Sequence, residues 1–243
     1  MCAAFPESFR FGLGDSDLQV IGERHTLEHE ASEPTMWLRF AEARGAEADT
    51  TLAGVDRYHL WEADLDLLAE LGIRHFRTSA SVARVVRRDG TPNERAIEWY
   101  RTFLGGLRSR GIRTYVTLYH WELPQFLQDR GGWANRDTVD FLARHAAVVC
   151  EHLGDLIDEY FTINEPWCAA FLGHYRGVHA PGERSLAGAL AAGHHLLLAS
   201  AAMAEEVWSR RPDAKLGPVF STMPCYALTS SEQDVRAAHI ADA

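Results

Sequence analysis

The chain has 243 residues, of which 47% are hydrophobic, and 34 acidic against 24 basic side chains, a formal charge of −10 at pH 7. That balance supplies a core for one large domain and excludes surfaces that need clustered Lys and Arg, so neither nucleic acid nor an anionic membrane is an expected partner. Four widely spaced cysteines, Cys2, Cys150, Cys168 and Cys225, form no C-x-x-C pair, and the start Met1-Cys2-Ala3-Ala4-Phe5-Pro6 lacks a basic segment followed by an apolar one. Reduced thiols, a cytoplasmic protein, no secretion signal and no membrane-spanning segment are therefore expected.

In chain order, Phe9 to Leu13 is a short β-prone run and reads as the first strand. From Arg24 to Gly54, Glu, Ala and Gly dominate and Pro34 interrupts, which reads as a long, partly helical loop over the strand ends. Leu60, Leu65, Leu68 and Leu71 are placed on one helical face that Gly72 stops, and Ile73 to Ser79 forms the second strand. Asn93 is positioned to cap a helix with the stripe Ile97, Tyr100, Leu104 and Leu107; Thr114 to Leu118 is the third strand. Asp137 opens a helix carrying Val139, Leu142, Ala146, Val149 and Leu153, and Tyr160 to Ile163 is the fourth strand. A long helix from about Ser185 to before Pro212, with Leu190, Leu197, Met203 and Val207 among its apolar positions, leads to a fifth strand over Leu216 to Phe220.

Strands and helices alternate without a linker, the pattern of a parallel sheet with crossover helices. A complete (β/α)8 barrel of TIM type has about 250 residues, but at the spacing of these strand ends eight units would need roughly 400. One α/β domain over 1–243 is expected, holding about the first five units of such a barrel and ending near the start of the fifth barrel helix.

The sharpest motif is Tyr160-Phe161-Thr162-Ile163-Asn164-Glu165-Pro166-Trp167. A β-prone run there delivers an amide, a carboxyl and a rigid turn at its carboxyl end, where parallel barrels build active sites. A carboxyl so placed can protonate a leaving oxygen, and the neighbouring amide can bind a hydroxyl. Taken alone, the pattern is equally a polar strand end closed by a Pro turn.

Around this motif the chain resembles glycoside hydrolase family 1, the β-glucosidase and β-galactosidase family, whose Thr-x-Asn-Glu-Pro matches Thr162 to Pro166. The resemblance extends through Phe5-Pro6, Phe9, Phe11-Gly12, Asp56, Tyr58-His59, Tyr119-His120-Trp121-Glu122-Leu123-Pro124-Gln125 and Asp129-Arg130-Gly131-Gly132-Trp133. It implies that Glu165 is the general acid/base of a retaining β-glycosidase and that Asn164 contacts the sugar 2-hydroxyl. Gln19 and His120 match the family's sugar-binding Gln and His, Trp121 the neighbouring Trp, and Arg77 the basic residue beneath the two catalytic carboxyls. A β-glycoside substrate is implied, with no cofactor and no metal.

Two segments depart from the family. Gly14-Asp15-Ser16-Asp17-Leu18-Gln19 is more acidic than its counterpart, and Arg77 is followed by Thr78-Ser79-Ala80-Ser81-Val82-Ala83-Arg84 where the family has Phe-Ser and then Trp-Pro-Arg. The lost Trp and Pro are expected to loosen the pocket wall. Adjacent His194 and His195 point about 100° apart on a helix and are read as structural rather than metal ligands. His174, His179, Glu62 and Asp64 are read as surface or packing residues, and Glu122 is not assigned the nucleophile's role.

The family's nucleophile lies in a Glu-Asn-Gly motif, which this sequence does not contain. Retaining hydrolysis needs that second carboxylate, which also favours the protonated acid. The 243 residues alone are expected to be inactive, and the open sheet edge to be covered by a complementary chain or by self-association. The alternatives are an inactive carbohydrate-binding remnant and a piece that does not fold independently.

Overall fold

β-prone runs buried on both faces organise the computed structural model, which describes residues 5, 6, 9–45 and 54–242. β1 (Leu13–Gly14) is followed by α1 (Asp17–Val20), α2 (Glu23–Glu30), α3 (Met36–Ala43) and α4 (Arg57–Glu70). β2 (His75–Ser79) leads to α5 (Val82–Val85) and α6 (Glu94–Ser109), and β3 (Arg113–Tyr119) to α7 (Gln125–Gln128) and α8 (Asp137–Leu153). β4 (Glu159–Asn164) runs into a π-helical stretch over Cys168–Tyr175 and then α9 (Leu186–Arg210); β5 (Leu216–Val219) precedes α10 (Glu232–Asp242). The strands lie side by side in the order β1-β2-β3-β4-β5, every pair parallel. This is the expected start of a (β/α)8 barrel.

The core lies between the sheet and α6, α8 and α9. On α6, Ile97, Tyr100, Leu104 and Leu107 are buried together with Ala96 and Phe103, and on α8 the whole expected stripe is buried. Fully buried Trp133 donates its indole N–H to the Tyr119 hydroxyl (2.8 Å), satisfying both polar atoms inside the apolar layer.

Several expectations change. The first strand is only Leu13–Gly14, because Phe5, Phe9 and Phe11 pack on one another (centroids 4.4–5.0 Å apart) at an edge whose strand neighbour among the described residues is β2 alone. Asn93 stands at the start of α6 but does not cap it; its amide donates to the carbonyls of Glu30 (3.2 Å) and Arg84 (2.8 Å), tying α2 and α5 to α6. On α4, Leu65 and Leu68 are buried while Leu60 and Leu71 are exposed. A step of five residues turns Leu60 off the buried face, which continues through Trp61 instead.

On α9, Met203 and Val207 are buried, but Leu190 and Leu197 are 58% and 52% exposed. The inward stripe is Ala189, Ala192, Leu196, Ala199, Met203 and Val207, so small residues let the helix lie close to β4. With 25 residues, α9 is by length and composition long enough to cross a membrane, against the expectation of no such segment. Here it is a sheet-packing helix: Ser200 bonds Thr162 on β4 (2.6 Å) and His195 bonds the Trp133 carbonyl (2.8 Å). The segment expected to be a loop from Arg24 to Gly54 contains α2 and α3, its positions 46–53 lying outside the described residues, as does Cys2. After β5, α10 begins at Glu232, helped by Ser231, whose hydroxyl accepts from the Asp234 N–H (3.2 Å).

Candidate active site

The carboxyl ends of β2, β3 and β4 converge on Arg77. Its guanidinium donates to Thr117 Oγ1 (3.0 Å) and Asn164 Oδ1 (2.6 Å) and lies 5.1 Å over the Phe161 ring. Residues three apart on a strand ordinarily face opposite ways, yet Phe161 and Asn164 both meet Arg77. The register between β4 and β5 slips between these two residues, and the irregularity turns Asn164 to the side of Phe161. Burial pulls the guanidinium below its ordinary value against the opposing charges of Glu165 and Asp15, and it stays a cation.

Just past the strands, Trp121 (φ 80°) and Glu165 (φ 47°) take left-handed backbones that cost side-chain-bearing residues energy. Both are tied down. The Trp121 indole donates to the Asn164 carbonyl (2.9 Å), and the Glu165 N–H donates to the Val219 carbonyl (2.8 Å), so β5 fixes where the carboxyl leaves the sheet. Glu165 is partly exposed, beside Arg77, His179 and Cys168. The Cys168 thiol is pushed up to about 11 by burial and then by the charge of Glu165.

His120 follows β3, its ring 5.9 Å from that of Trp121. Burial, then the Arg77 charge, pushes it down to about 3, so it is a neutral imidazole whose Nδ1 is buried without a hydrogen-bond partner. The structure thus brings Arg77, His120, Trp121, Asn164 and Glu165 together. Gln19 is exposed on α1, and its side-chain oxygen accepts from Ser16 (2.8 Å) rather than from this cluster.

Two further rings belong here. The Trp37 indole donates to the Trp121 carbonyl (3.0 Å), and His179 lies 5.4 Å from Trp37 and 5.3 Å from Trp121. His179, partly exposed, is a packing residue in an aromatic wall near Glu165. His174 is structural, bonded to Glu183 (3.0 Å), and Asp64 accepts from Arg57 (2.8 Å). Glu62 and His194 are exposed.

The acidic departure after β1 has a structural cause. Asp15 pairs with Arg57 and accepts from Thr78 (2.9 Å). Asp17 and Glu30 hold Arg84 (2.7 Å, and 2.6 and 2.9 Å) in a fully buried cluster stacked against Trp99 and Tyr100. The segment after Arg77, which lacks the family's Trp and Pro, is packed: every residue from Thr78 to Val86 is buried. Glu122 is also buried, its carboxyl pushed up to about 8 by burial and then by the charge of Asp17. It is a neutral acid in the core.

The family model of glycosyl hydrolase family 1 matches residues 1–243. The chain is 37% identical over 241 residues to a β-glucosidase of an Agrobacterium species, covering 98% of this chain and 52% of that protein. Among solved structures, the AHE enzyme from Alicyclobacillus herbarius superposes with a TM-score of 0.92 at 38% identity over 98% of this chain and 54% of that one. The virulence factor SghA in complex with its substrate analogue salicin gives 0.90 at 37%, over 98% and 52%. The chain thus spans about half the length of the relatives it matches.

Proposed function

Because the chain belongs to glycosyl hydrolase family 1, we propose that it forms the acid/base side of a retaining β-glycosidase acting on β-linked glucosides or galactosides, its attacking carboxylate supplied by residues beyond these 243. The observation that carries this reading is the Asn164-Glu165 pair, held beside Arg77 and between Trp121 and β5. In the first step the absent carboxylate attacks the anomeric carbon while Glu165 gives its proton to the leaving oxygen; in the second, Glu165 takes a proton from water as the glycosyl ester is cleaved.

The neighbours fit these roles. Arg77 occupies Asn164 Oδ1, so the amide keeps its two N–H donors for a sugar hydroxyl. Neutral His120 can donate to or accept from another hydroxyl, and Trp121 offers a sugar-sized apolar face. Gln19 joins the site if substrate draws its side chain from Ser16. The exposed apolar residues at both sheet edges, Phe5 and Phe11 beside β1 and Leu190, Leu197 and Phe220 near β5, support a complementary chain, or a second copy, covering the edges. The three described cysteines are free thiols, which suits the cytoplasm.

The test mixes the 243-residue chain with a polypeptide carrying the remaining family strands and their Glu-Asn-Gly motif, and follows release of an aryl β-glucoside's chromophore. The chain alone is expected to be silent and the pair active, with Glu165→Gln lowering turnover by about 10²–10⁴-fold. Turnover by the chain alone, lost in Glu165→Gln, would sink the need for a second carboxylate. Sugar binding by a stable pair that never turns over would favour the carbohydrate-binding reading.

A further inference from the structure

A cluster remote in role from the glycosidase residues has the composition of a metal centre. We propose that His25 and His29 on α2, His59 in the first turn of α4, and Asp56 bind one Zn²⁺ or similar divalent ion that clamps α2 to α4. Nitrogens of the three imidazoles lie within 4.8 Å of one another. The two histidines of α2 are four residues apart, so they share one helix face, the spacing by which helical His-x-x-x-His pairs hold zinc.

Asp56 supplies the fourth donor. It stands before the first residue of α4 with a left-handed backbone (φ 54°), yet its carboxylate does not cap the helix. It turns onto the imidazoles instead, Oδ1 lying 2.8 Å from His59 Nδ1 and 3.3 Å from His25 Nε2. Neighbouring donors of tetrahedral zinc are about 3.3 Å apart for bonds of ~2.0–2.1 Å, so an ion replaces the shared protons with small side-chain movements.

The surroundings hold the rings in place. Tyr58 stacks on both His25 (6.0 Å, 21°) and His29 (5.7 Å, 19°), and its own carbonyl accepts from the Trp99 indole (3.1 Å). The Arg95 guanidinium is engaged by the His29 carbonyl (3.2 Å). Three imidazoles and one carboxylate select borderline ions such as Zn²⁺, Ni²⁺ or Co²⁺ over Mg²⁺ and Ca²⁺. Four protein donors fill a tetrahedral shell, so the role is structural, fastening α2 across the connection that leads to α4.

The site does not depend on the glycosidase reading, and its test has no activity readout. Tag-free, chelator-stripped 243-residue chain is titrated with Zn²⁺ by calorimetry and with Co²⁺ by visible absorption, where tetrahedral coordination gives an intense band. One equivalent is expected to bind saturably and to raise the unfolding midpoint by at least ~3 °C. His29→Gln and His59→Gln, on different helices and each checked for folding by near-ultraviolet circular dichroism, should each weaken binding at least about tenfold. His194→Gln, an exposed histidine on α9, should change nothing. Absence of a one-equivalent transition, or binding that survives both His29→Gln and His59→Gln, overturns the proposal.

Discussion

Over β2 to β4, α6 and α8 bury their apolar stripes completely, and Arg84, Asp17 and Glu30 are locked among the helices before and after β2. Beside β5, α9 buries a stripe of mostly small residues and shows a second apolar face, Leu186, Leu190, Leu197 and Trp208, while the residues after β5 expose Met223, Tyr226 and Leu228. Both regions obey the same strand–helix order, so the difference is not one of local propensity. A barrel helix packs on the sheet and on both neighbouring helices, and α9 meets one such neighbour, α8, through a long contact.

The largest effect is expected where burial is complete. Arg84→Met leaves Asp17 and Glu30 facing each other without their cation and should cost about 3–5 kcal/mol in urea unfolding, with part regained in the triple change Arg84→Met, Asp17→Asn, Glu30→Gln. A loss below 1 kcal/mol would show that the centre is no firmer than the flank.

A smaller effect is expected with pH. Burial pushes Glu122 up to about 8 and Glu23 up to about 7. Unfolded, both titrate near ~4.3, so the folded state binds the extra protons and stability is lost as pH rises through the folded values. His120 and His145, pushed down to about 3 and about 4 by burial, act in the opposite sense, but only below ~6.5 where the unfolded chain protonates them. Above about pH 6.5 the histidine contribution fades while that of the acids persists, and between about pH 6.5 and 8 Glu122 should account for roughly 1.5–2 kcal/mol of lost stability. Glu122→Gln should flatten that slope in chemical denaturation; an unchanged slope would mean that Glu122 is not the group losing its proton.

The smallest stability change is expected on the outer face of α9. Leu190→Glu with Leu197→Glu should alter unfolding of the 243-residue chain by under about 0.5 kcal/mol per site, while sharply reducing self-association in sedimentation and blocking association with the complementary strands. A large loss of stability would place these leucines inside the packed core and erase the contrast between centre and flank.

Much of this was legible from residue order. β2, β3 and β4 lie within two residues of their expected bounds, because runs such as Tyr160 to Ile163 are β-prone and flanked by polar or Gly residues. That Asn164 and Glu165 stand at the end of β4, and His120 and Trp121 just after β3, was legible from the same short runs. The aromatic partners were not, since Trp37 and His179 reach Trp121 from segments 84 and 58 positions away. The His-x-x-x-His spacing of His25 and His29 is common on helices and singles out nothing by itself; the third histidine, His59, comes from another helix, so only three-dimensional proximity groups them.

By itself, the sequence determined the strand–helix alternation, the placing of Asn164 and Glu165 at the end of β4, and the absence of a Glu-Asn-Gly motif among the 243 residues. These are properties of short segments, set by backbone propensity and by contiguous motifs. The tertiary structure decided which face of α9 is buried, that Asp15 and Asp17 pair with Arg57 and Arg84, and that a slip in the β4–β5 register turns Asn164 onto Arg77. Each of those depends on groups far apart in the chain, whose pairing is set by packing and charge compensation in the folded protein and leaves no periodic trace in residue order.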